Sequence, residues 1–393
     1  MELYNNKEEI TNKFYEFFKN FTDSKNLLKF LAPLFCSLIN SESVNFSKIA
    51  SKLFEDFNSD VKPDSHNRRI SRFFNNHRYN IHSIFDKIVV HSLSNFKLSH
   101  SDRNVHVSFD HMFSKEKFTV LMFTLRIGKQ GIPIYFKCFY GKKLNENHGE
   151  AFKIEEVKDG VKHCHDLIKK AIPDANIIFL ADRWFGNRFP LMDYINFLGD
   201  KFVMRCKNNM FVFYKPKKEN HKVWMNILDL PHYVHHSALY RNLEFTRYKY
   251  VYNLAYCMSK NHKEAWLLIT NCDPRKAKAF YGYRFGSIEF LFKFQKSNGF
   301  YLEKTGIKSL HAFDNLYSLV CIACFYLTCL GSDISSNPRC YKNLGITITK
   351  KCNNSSKRYR CISRFRTGLQ LFHMAFNTVK YFRLPTTFKL YDT

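Results

Sequence analysis

In the short strand Ala175 to Ala181 the run Ile177-Ile-Phe-Leu-Ala181 is wholly apolar, and Asp182 follows at once. A strand apolar on both faces has to sit in the buried middle of a sheet, covered on either side. Val105-His-Val107-Ser-Phe109-Asp110 alternates apolar and polar residues as a strand does. Phe118 to Arg126 reads as a second strand, Gly128-Lys-Gln-Gly131 as a turn and Ile132 to Tyr140 as a third strand, an antiparallel meander. Residues 149–171 carry a helical apolar period. Strand-like runs recur at Phe202 to Arg205, Met210 to Tyr214, Tyr248 to Met258 and Ala265 to Thr270. Asp273-Pro274 closes that section and helices return from Ala277.

Ahead of the strands, residues 1–98 read as helical. Ile10 to Phe18, Asn26 to Ile39 and Phe46 to Phe57 have apolar positions at helical intervals. Pro63-Asp64-Ser65 predicts a break, with Ser65 as N-cap of a fourth helix holding Arg68, Arg69 and Arg72 beside Ile70, Phe73 and Phe74. Its basic and apolar residues fall on different faces. Such a helix suits a helix-turn-helix laid on DNA, although a solvated charged face looks the same.

The charge points the same way. There are 61 Lys and Arg against 34 Asp and Glu, a formal net charge of +27. Such an excess favours a polyanion, because each neutralised phosphate releases condensed counterions. Nucleic acid is the first expectation and an anionic membrane surface the second. An AT-rich genome would also raise Lys and the 41 Phe, but it does not explain the scarcity of acids. The membrane reading lacks a basic amphipathic helix with a Trp-rich apolar face. The most apolar stretch, Leu316 to Leu330, is short for a bilayer span and predicts a buried core helix. Met1 to Asn6 is polar and Lys7-Glu8-Glu9 follows, which does not read as a secretory signal. The 12 Cys show no disulfide framework. Cys321 and Cys324 form a CxxC inside an apolar helix, and Cys340, Cys352 and Cys361 are too irregular to complete a zinc site, so reduced, buried thiols in a cytosolic compartment are expected.

The order of meander, helix, central strand, β-rich insert and late helix is that of a ribonuclease H-like nuclease core. Three acids stand where such a core would use them. Asp110 ends the first strand, Asp182 follows the buried strand, and Glu289 lies on a helix in Ser287-Ile-Glu-Phe-Leu-Phe. Hard cations such as Mg²⁺ prefer carboxylate and phosphate oxygens, and two such ions clamp the attacking and leaving oxygens of a displacement at phosphorus. An Asp after a strand also commonly caps a turn.

Local motifs sharpen this. Ala181-Asp182-Arg183-Trp184-Phe185-Gly186-Asn187 resembles the ADRGF segment around the second acid of bacterial DDE transposases. Tyr281-Gly-Tyr-Arg284-Phe-Gly-Ser-Ile-Glu289, with Lys293 and Lys296 after it, resembles the Tyr-Arg-Glu-Lys signature of a subgroup of them. Ser297-Asn-Gly299-Phe300-Tyr-Leu302-Glu303 matches the usual continuation. Phe202-Val-Met-Arg205-Cys-Lys207 and Trp266-Leu-Leu-Ile-Thr270 resemble the strands that open and close that family's β-insertion. From about Arg68 to Gly368 the chain is similar to the insertion-sequence-four type, the hairpin-forming, cut-and-paste kind.

The resemblance implies an α/β fold: a ribonuclease H-like core, a mixed sheet flanked by helices, interrupted by a β-rich insertion and preceded by an α-helical DNA-binding domain. The expected boundaries are 1–98 for the helical domain, 99–190 for the first part of the core and 191–276 for the insertion. The catalytic-Glu helix and its packing helix take 277–335, and a basic segment 336–393. It implies two Mg²⁺ or Mn²⁺ ions held by Asp110, Asp182 and Glu289. It implies DNA contacts from Arg183, Arg205, Trp266, Tyr281, Arg284, Lys293 and Lys296, beside Arg68, Arg69 and Arg72. The partners implied are double-stranded DNA, both transposon inverted-repeat ends and target, and a second copy in the synaptic complex, in a bacterial, nucleoid-associated setting. A catalytically inactive transposase-derived DNA-binding protein, or a ribonuclease H-like nuclease without strand transfer, are the alternatives. The chain departs from the family pattern once: four residues, not three, separate Arg284 from Glu289. In a continuous α-helix the extra residue would rotate Arg284 by about 100°. A loop at Gly286-Ser287, with Ser287 as N-cap, is the expected solution. Either Tyr281 or Tyr283 supplies the signature Tyr. His106 shares a strand face with Asp110 by the period of two.

Overall fold

The computed structural model describes residues 6–57, 60–96, 103–114, 117–141, 152–216, 219–232, 236–258, 264–333, 349–351, 358–360 and 363–377. The chain is mixed α/β, with a ten-stranded mixed sheet flanked by helices. Five helices come first: α1 (Asn6–Lys19), α2 (Lys25–Ser41), α3 (Phe46–Asp56), α4 (Pro63–Asn75) and α5 (Ile81–Ser94). The start of α4 differs from expectation. Lys62, not Ser65, is the N-cap residue, and Pro63 and Asp64 lie within the first turn. Proline is well placed there because its φ is already helical and the N–H it lacks would have had no partner.

The meander is β1 (Asn104–Ser114), β2 (Phe118–Ile127) and β3 (Gln130–Tyr140). After α6 (Ile154–Ala171), β4 (Asn176–Ala181) lies parallel to β1. Then come α7 (Phe189–Phe197), β5 (Lys201–Arg205), β6 (Phe211–Tyr214), β7 (Val223–Asn226), β8 (Ala238–Phe245), β9 (Tyr250–Cys257) and β10 (Trp266–Thr270). The spatial order is β3-β2-β1-β4-β5-β10-β9-β8-β6-β7. β5 pairs with both β4 and β10, so the strands read as an insertion continue the sheet edge to edge. Three elements escaped the periodicity reading. α7 has little polar–apolar contrast, β7 is only four residues long and exposes Trp224, and β8 has the polar pair Arg241-Asn242 exposed in its middle.

The sequence of β4 explains the layering. Ile177, Phe179 and Ala181 join the main core, whereas Ile178 and Leu180 point to a second apolar cluster with Val203, Leu268, Ala277, Phe280 and Tyr281. Both faces are covered, as the wholly apolar run demanded. The second face belongs to α8 (Pro274–Arg284), which continues through residues 285–289 into α9 (Phe290–Lys296).

Helix α10 (Leu310–Asp333) is longer than its apolar centre suggested and by length and composition would cross a bilayer, but 94% of its apolar window is buried inside the protein. Phe14 and Phe35 pack edge-on against Tyr326 of α10. The Asn315 side chain accepts from the Ile81 backbone N–H at 2.9 Å and donates to the carbonyls of Phe74 and Tyr79. The N-terminal helices therefore share one apolar core with α10. Cys321 and Cys324 are both fully buried within that helix, and burial pushes both thiols up. Of the basic C-terminal segment, β11 (Thr349–Lys351), its partner β12 (Arg358–Arg360) and α11 (Arg364–Asn377) are described. The rest of it, with Cys340, Cys352 and Cys361, lies outside the described residues.

Candidate active site

Three segments meet at Asp110. Parallel pairing of β1 with β4 ends at Phe109↔Ala181, so Asp110 and Asp182 follow side by side on neighbouring strands, whose spacing is about 4.8 Å. Asp110 does not end its strand. Antiparallel pairing with β2 carries β1 on to Ser114, because Met112 and Phe118 extend the apolar pattern past the point where β4 stops. The acid thus sits mid-strand at the edge of the parallel ladder. It is backed by β2 on one side and open where β4 turns away.

Asp182 begins a tight turn. Its Oδ1 accepts from the Trp184 N–H at 2.8 Å, and its carbonyl accepts from Phe185 and Gly186. It caps its own turn while facing the site. A Cβ on Gly186 would lie 1.7 Å from the carbonyl oxygen of Arg205, so only glycine lets this turn press onto β5. That contact brings Arg183 and Arg205 together. Both guanidiniums donate to the same Oε2 of Glu264, at 2.9 and 3.3 Å. Two arginines about one oxyanion is the arrangement that suits a phosphate. Sequence reading named both arginines but missed Glu264, whose place only the β5–β10 pairing reveals.

The third segment resolves the extra residue before Glu289. There is no loop at Gly286-Ser287 and Ser287 caps nothing. Residues Phe285–Glu289 form a π-helical turn continuous with α8 and α9. In an α-helix, residues five apart lie about 140° apart around the axis. A π-turn repeats at i+5 instead, so the extra residue is absorbed locally and Arg284 and Glu289 share one face. The turn is anchored from outside. Ser287 Oγ and Ser108 Oγ are 2.7 Å apart, and Cβ atoms on Gly286 or Gly131 would strike Lys129 or Ser287.

Arg284 consequently donates one guanidinium nitrogen to Asp110 Oδ2 and the other to Glu289 Oε1. It is 4% exposed. Burial pushes the Asp110 carboxyl up to about 6. Arg284 pulls it down, and the charges of Asp182 and Glu289 push it further up. Like charges gathered about a buried acid oppose its ionisation. Asp182 and Glu289 thus both act on Asp110 by charge, with Arg284 between Asp110 and Glu289. The donor set is of the oxygen type that Mg²⁺ prefers. Yet among the described residues no group of three or more His, Cys, Asp or Glu side chains is arranged to hold a metal ion. The cation within this cluster is the guanidinium.

Other predicted residues surround it. Trp266 stands on the sheet face that meets α8, its ring 5.2 Å from Tyr281 and 5.5 Å from Phe285. Tyr281 is buried and burial raises its hydroxyl, while Arg284 and Arg205 lower it. Tyr283 faces elsewhere, under the guanidinium of Arg126 at 3.5 Å and against His106. Tyr281 is accordingly the tyrosine of this site. His106 packs on Phe280 and Tyr283, two strand repeats before Asp110 on the same face. Lys293 is exposed and Lys296 half-buried on α9, one and two turns beyond Glu289.

The basic run on α4 is split by use. Arg68, Arg69 and Arg72 are all exposed while Ile70, Phe73 and Phe74 are buried. Arg69 also lies over the Phe30 ring at 4.3 Å, a packing contact. Arg68→Ala with Arg72→Ala is therefore expected to lower the salt slope of duplex binding by about one unit per lost phosphate contact. Arg69→Ala should instead lower the melting temperature. An unchanged slope in the double variant would assign that face to solvent.

No family model matches the chain, and no curated protein matches it.

Proposed function

We propose that this chain is a DNA-cleaving phosphoryl-transfer enzyme of the DDE transposase type. It would nick transposon ends, form hairpins and join the ends to target DNA. The observation that carries this reading is the Arg284 bridge between Asp110 and Glu289, with Asp182 acting by charge on both Asp110 and Arg284, from segments far apart in the chain. The meander, the parallel β4 and the late helix carrying Glu289 support a ribonuclease H-like core. Strands β6 to β9 support a β-rich insertion between β5 and β10.

Asp110, Asp182 and Glu289 are the residues that would hold Mg²⁺ or Mn²⁺, which would supply electrostatic stabilisation of the phosphate. For that, Arg284 has to release at least one carboxylate. Arg183 and Arg205 would exchange Glu264 for a backbone phosphate. Glu264 is 56% exposed, so the ion pairs it gives up are weak ones. Because synapsis joins two ends, a dimer on double-stranded DNA is part of the proposal.

The test is incubation with candidate end DNA and Mg²⁺ or Mn²⁺, resolved for nicks and hairpins. Trp266→Ala separates the steps. An aromatic platform returns about 1–3 kcal/mol to a base turned out of the duplex, and hairpin formation needs such a bend. The variant should nick at the wild-type rate and lose hairpin product. Normal hairpin yield would make Trp266 a packing residue for Tyr281 and Phe285.

A second reading, a transposase-derived DNA-binding protein without cleavage, draws on the same Arg284 bridge, which neutralises two of the acids. Duplex binding with no nick under either metal would establish it.

A further inference from the structure

β6 and β7 form the outer edge of the sheet, and their register places Phe213 directly opposite Trp224 and Phe211 opposite Asn226. By the strand period Phe211, Phe213 and Trp224 share one face, while Val212, fully buried, takes the other. The core side is therefore already satisfied. The opposite face of such an edge hairpin is ordinarily polar, yet here it carries three aromatic rings. The Trp224 ring lies 4.5 Å from Phe213 and stacks on Phe211 at 5.5 Å. Phe211 and Trp224 are 42% and 38% exposed.

This face borders a cleft of about 630 Å³, a size that suits one small ligand or nucleotide. Tyr248, 84% exposed, and Tyr250 also line it. Asn187 and Asn209 offer amides, and Arg247 a guanidinium. Asn187 lies five residues beyond Asp182, and its side chain accepts from the Lys207 N–H at 3.2 Å, which ties the cleft to the turn that carries the acid. Exposed Lys207, Lys215 and Lys249 flank the aromatic residues in sequence.

We propose that this cleft binds an unpaired nucleobase of single-stranded DNA, stacked on Trp224 and Tyr248, with Arg247 on the adjoining phosphate. Bases have flat π-faces that any aromatic platform accepts, and amides can meet their edges. The basic surroundings and the net charge of +27 favour a polyanionic strand over an apolar peptide. The inference rests on the nucleic-acid part of the proposed function and adds a second contact, for a displaced strand, away from the acids.

Fluorescence anisotropy of the full chain with a labelled 12-nucleotide single strand, and with the same strand as duplex, tests it. Tyr248→Ala and Trp224→Ala should each weaken single-strand binding about tenfold and leave duplex binding within twofold. Trp224→Phe should restore most of the loss. Tyr248 is so exposed that its removal leaves the fold intact, which guards against a misfolded Trp224 variant. Equal losses on both DNAs, or none on the single strand, would overturn the proposal. A wild-type chain that binds duplex but not single strand overturns this inference alone. One that binds neither overturns the nucleic-acid reading with it.

Discussion

Arg284→Met is expected to destabilise the fold by about 3–5 kcal/mol, the cost of leaving a buried charge without its partner. Asp110 is the partner that matters, with its side chain 13% exposed against 44% for Glu289. Glu289→Gln removes the other half of the bridge and should cost no more than about 1 kcal/mol, since an ion pair so open to water is screened. The loss in Arg284→Met should also depend on pH. The Asp110 carboxyl is raised from 3.8 to about 6 in the fold, so between these values the native state holds more protons than the unfolded chain. The stability linked to Asp110 is therefore full below about pH 4 and is lost as pH rises through about 6. Arg284 lowers that carboxyl, so its removal moves the titration upward. The deficit of the variant should be largest near pH 8 and shrink near pH 5, where Asp110 is neutral. Urea unfolding at the two pH values measures this. An equal deficit at both would mean that Arg284 acts by packing, through Tyr281 and the π-turn, and not by charge.

The second large effect concerns the acids as chemistry. Asp110→Asn, Asp182→Asn and Glu289→Gln should each reduce nicking of end DNA by at least about 100-fold, the scale of losing one preorganised electrostatic group. Duplex affinity should stay within about twofold, because the proposed phosphate contacts come from Arg68, Arg72, Arg183 and Arg205. Asp182→Asn keeps an oxygen to accept from the Trp184 N–H, so the turn it caps survives. A variant that still nicks near the wild-type rate would remove that acid from the proposed machinery. Lost duplex binding in all three would instead show that the acids organise the binding surface.

Much of the site is legible residue by residue because facing is a local property. Alternation in β1 put His106 and Asp110 on one face, and the structure finds the Ser108 and His106 of that face against the helix that carries Arg284. The apolar run of β4 demanded cover on both sides, and α8 supplies one of them. The charged face of α4 separated from its apolar face by spacing alone, and those arginines are exposed. Positions that depended on a partner were not legible in the same way. β1 was expected to stop at Asp110, where its parallel partner stops, but β2 carries it to Ser114. That β5 and β10, more than 60 residues apart, pair with each other was likewise not legible, because strand pairing is a long-range choice.

Arg284 marks the division most clearly. From its own sequence it was an arginine one residue out of step with Glu289, and a loop was the simplest way to absorb the difference. Local propensity had no means of choosing a π-turn, because the residues it packs against, Ser108, Lys129 and Gly131, lie in the β1–β3 meander more than 150 residues earlier in the chain. Likewise the convergence of Arg183 with Arg205 depends on Gly186 lying against β5. The sequence by itself determined which residues face the core, which face solvent, and that Asp182 follows directly on the buried strand β4. Only the tertiary structure decided that a guanidinium lies between Asp110 and Glu289, because that position is set by long-range strand pairing and close packing, and neither leaves a periodic trace in the chain.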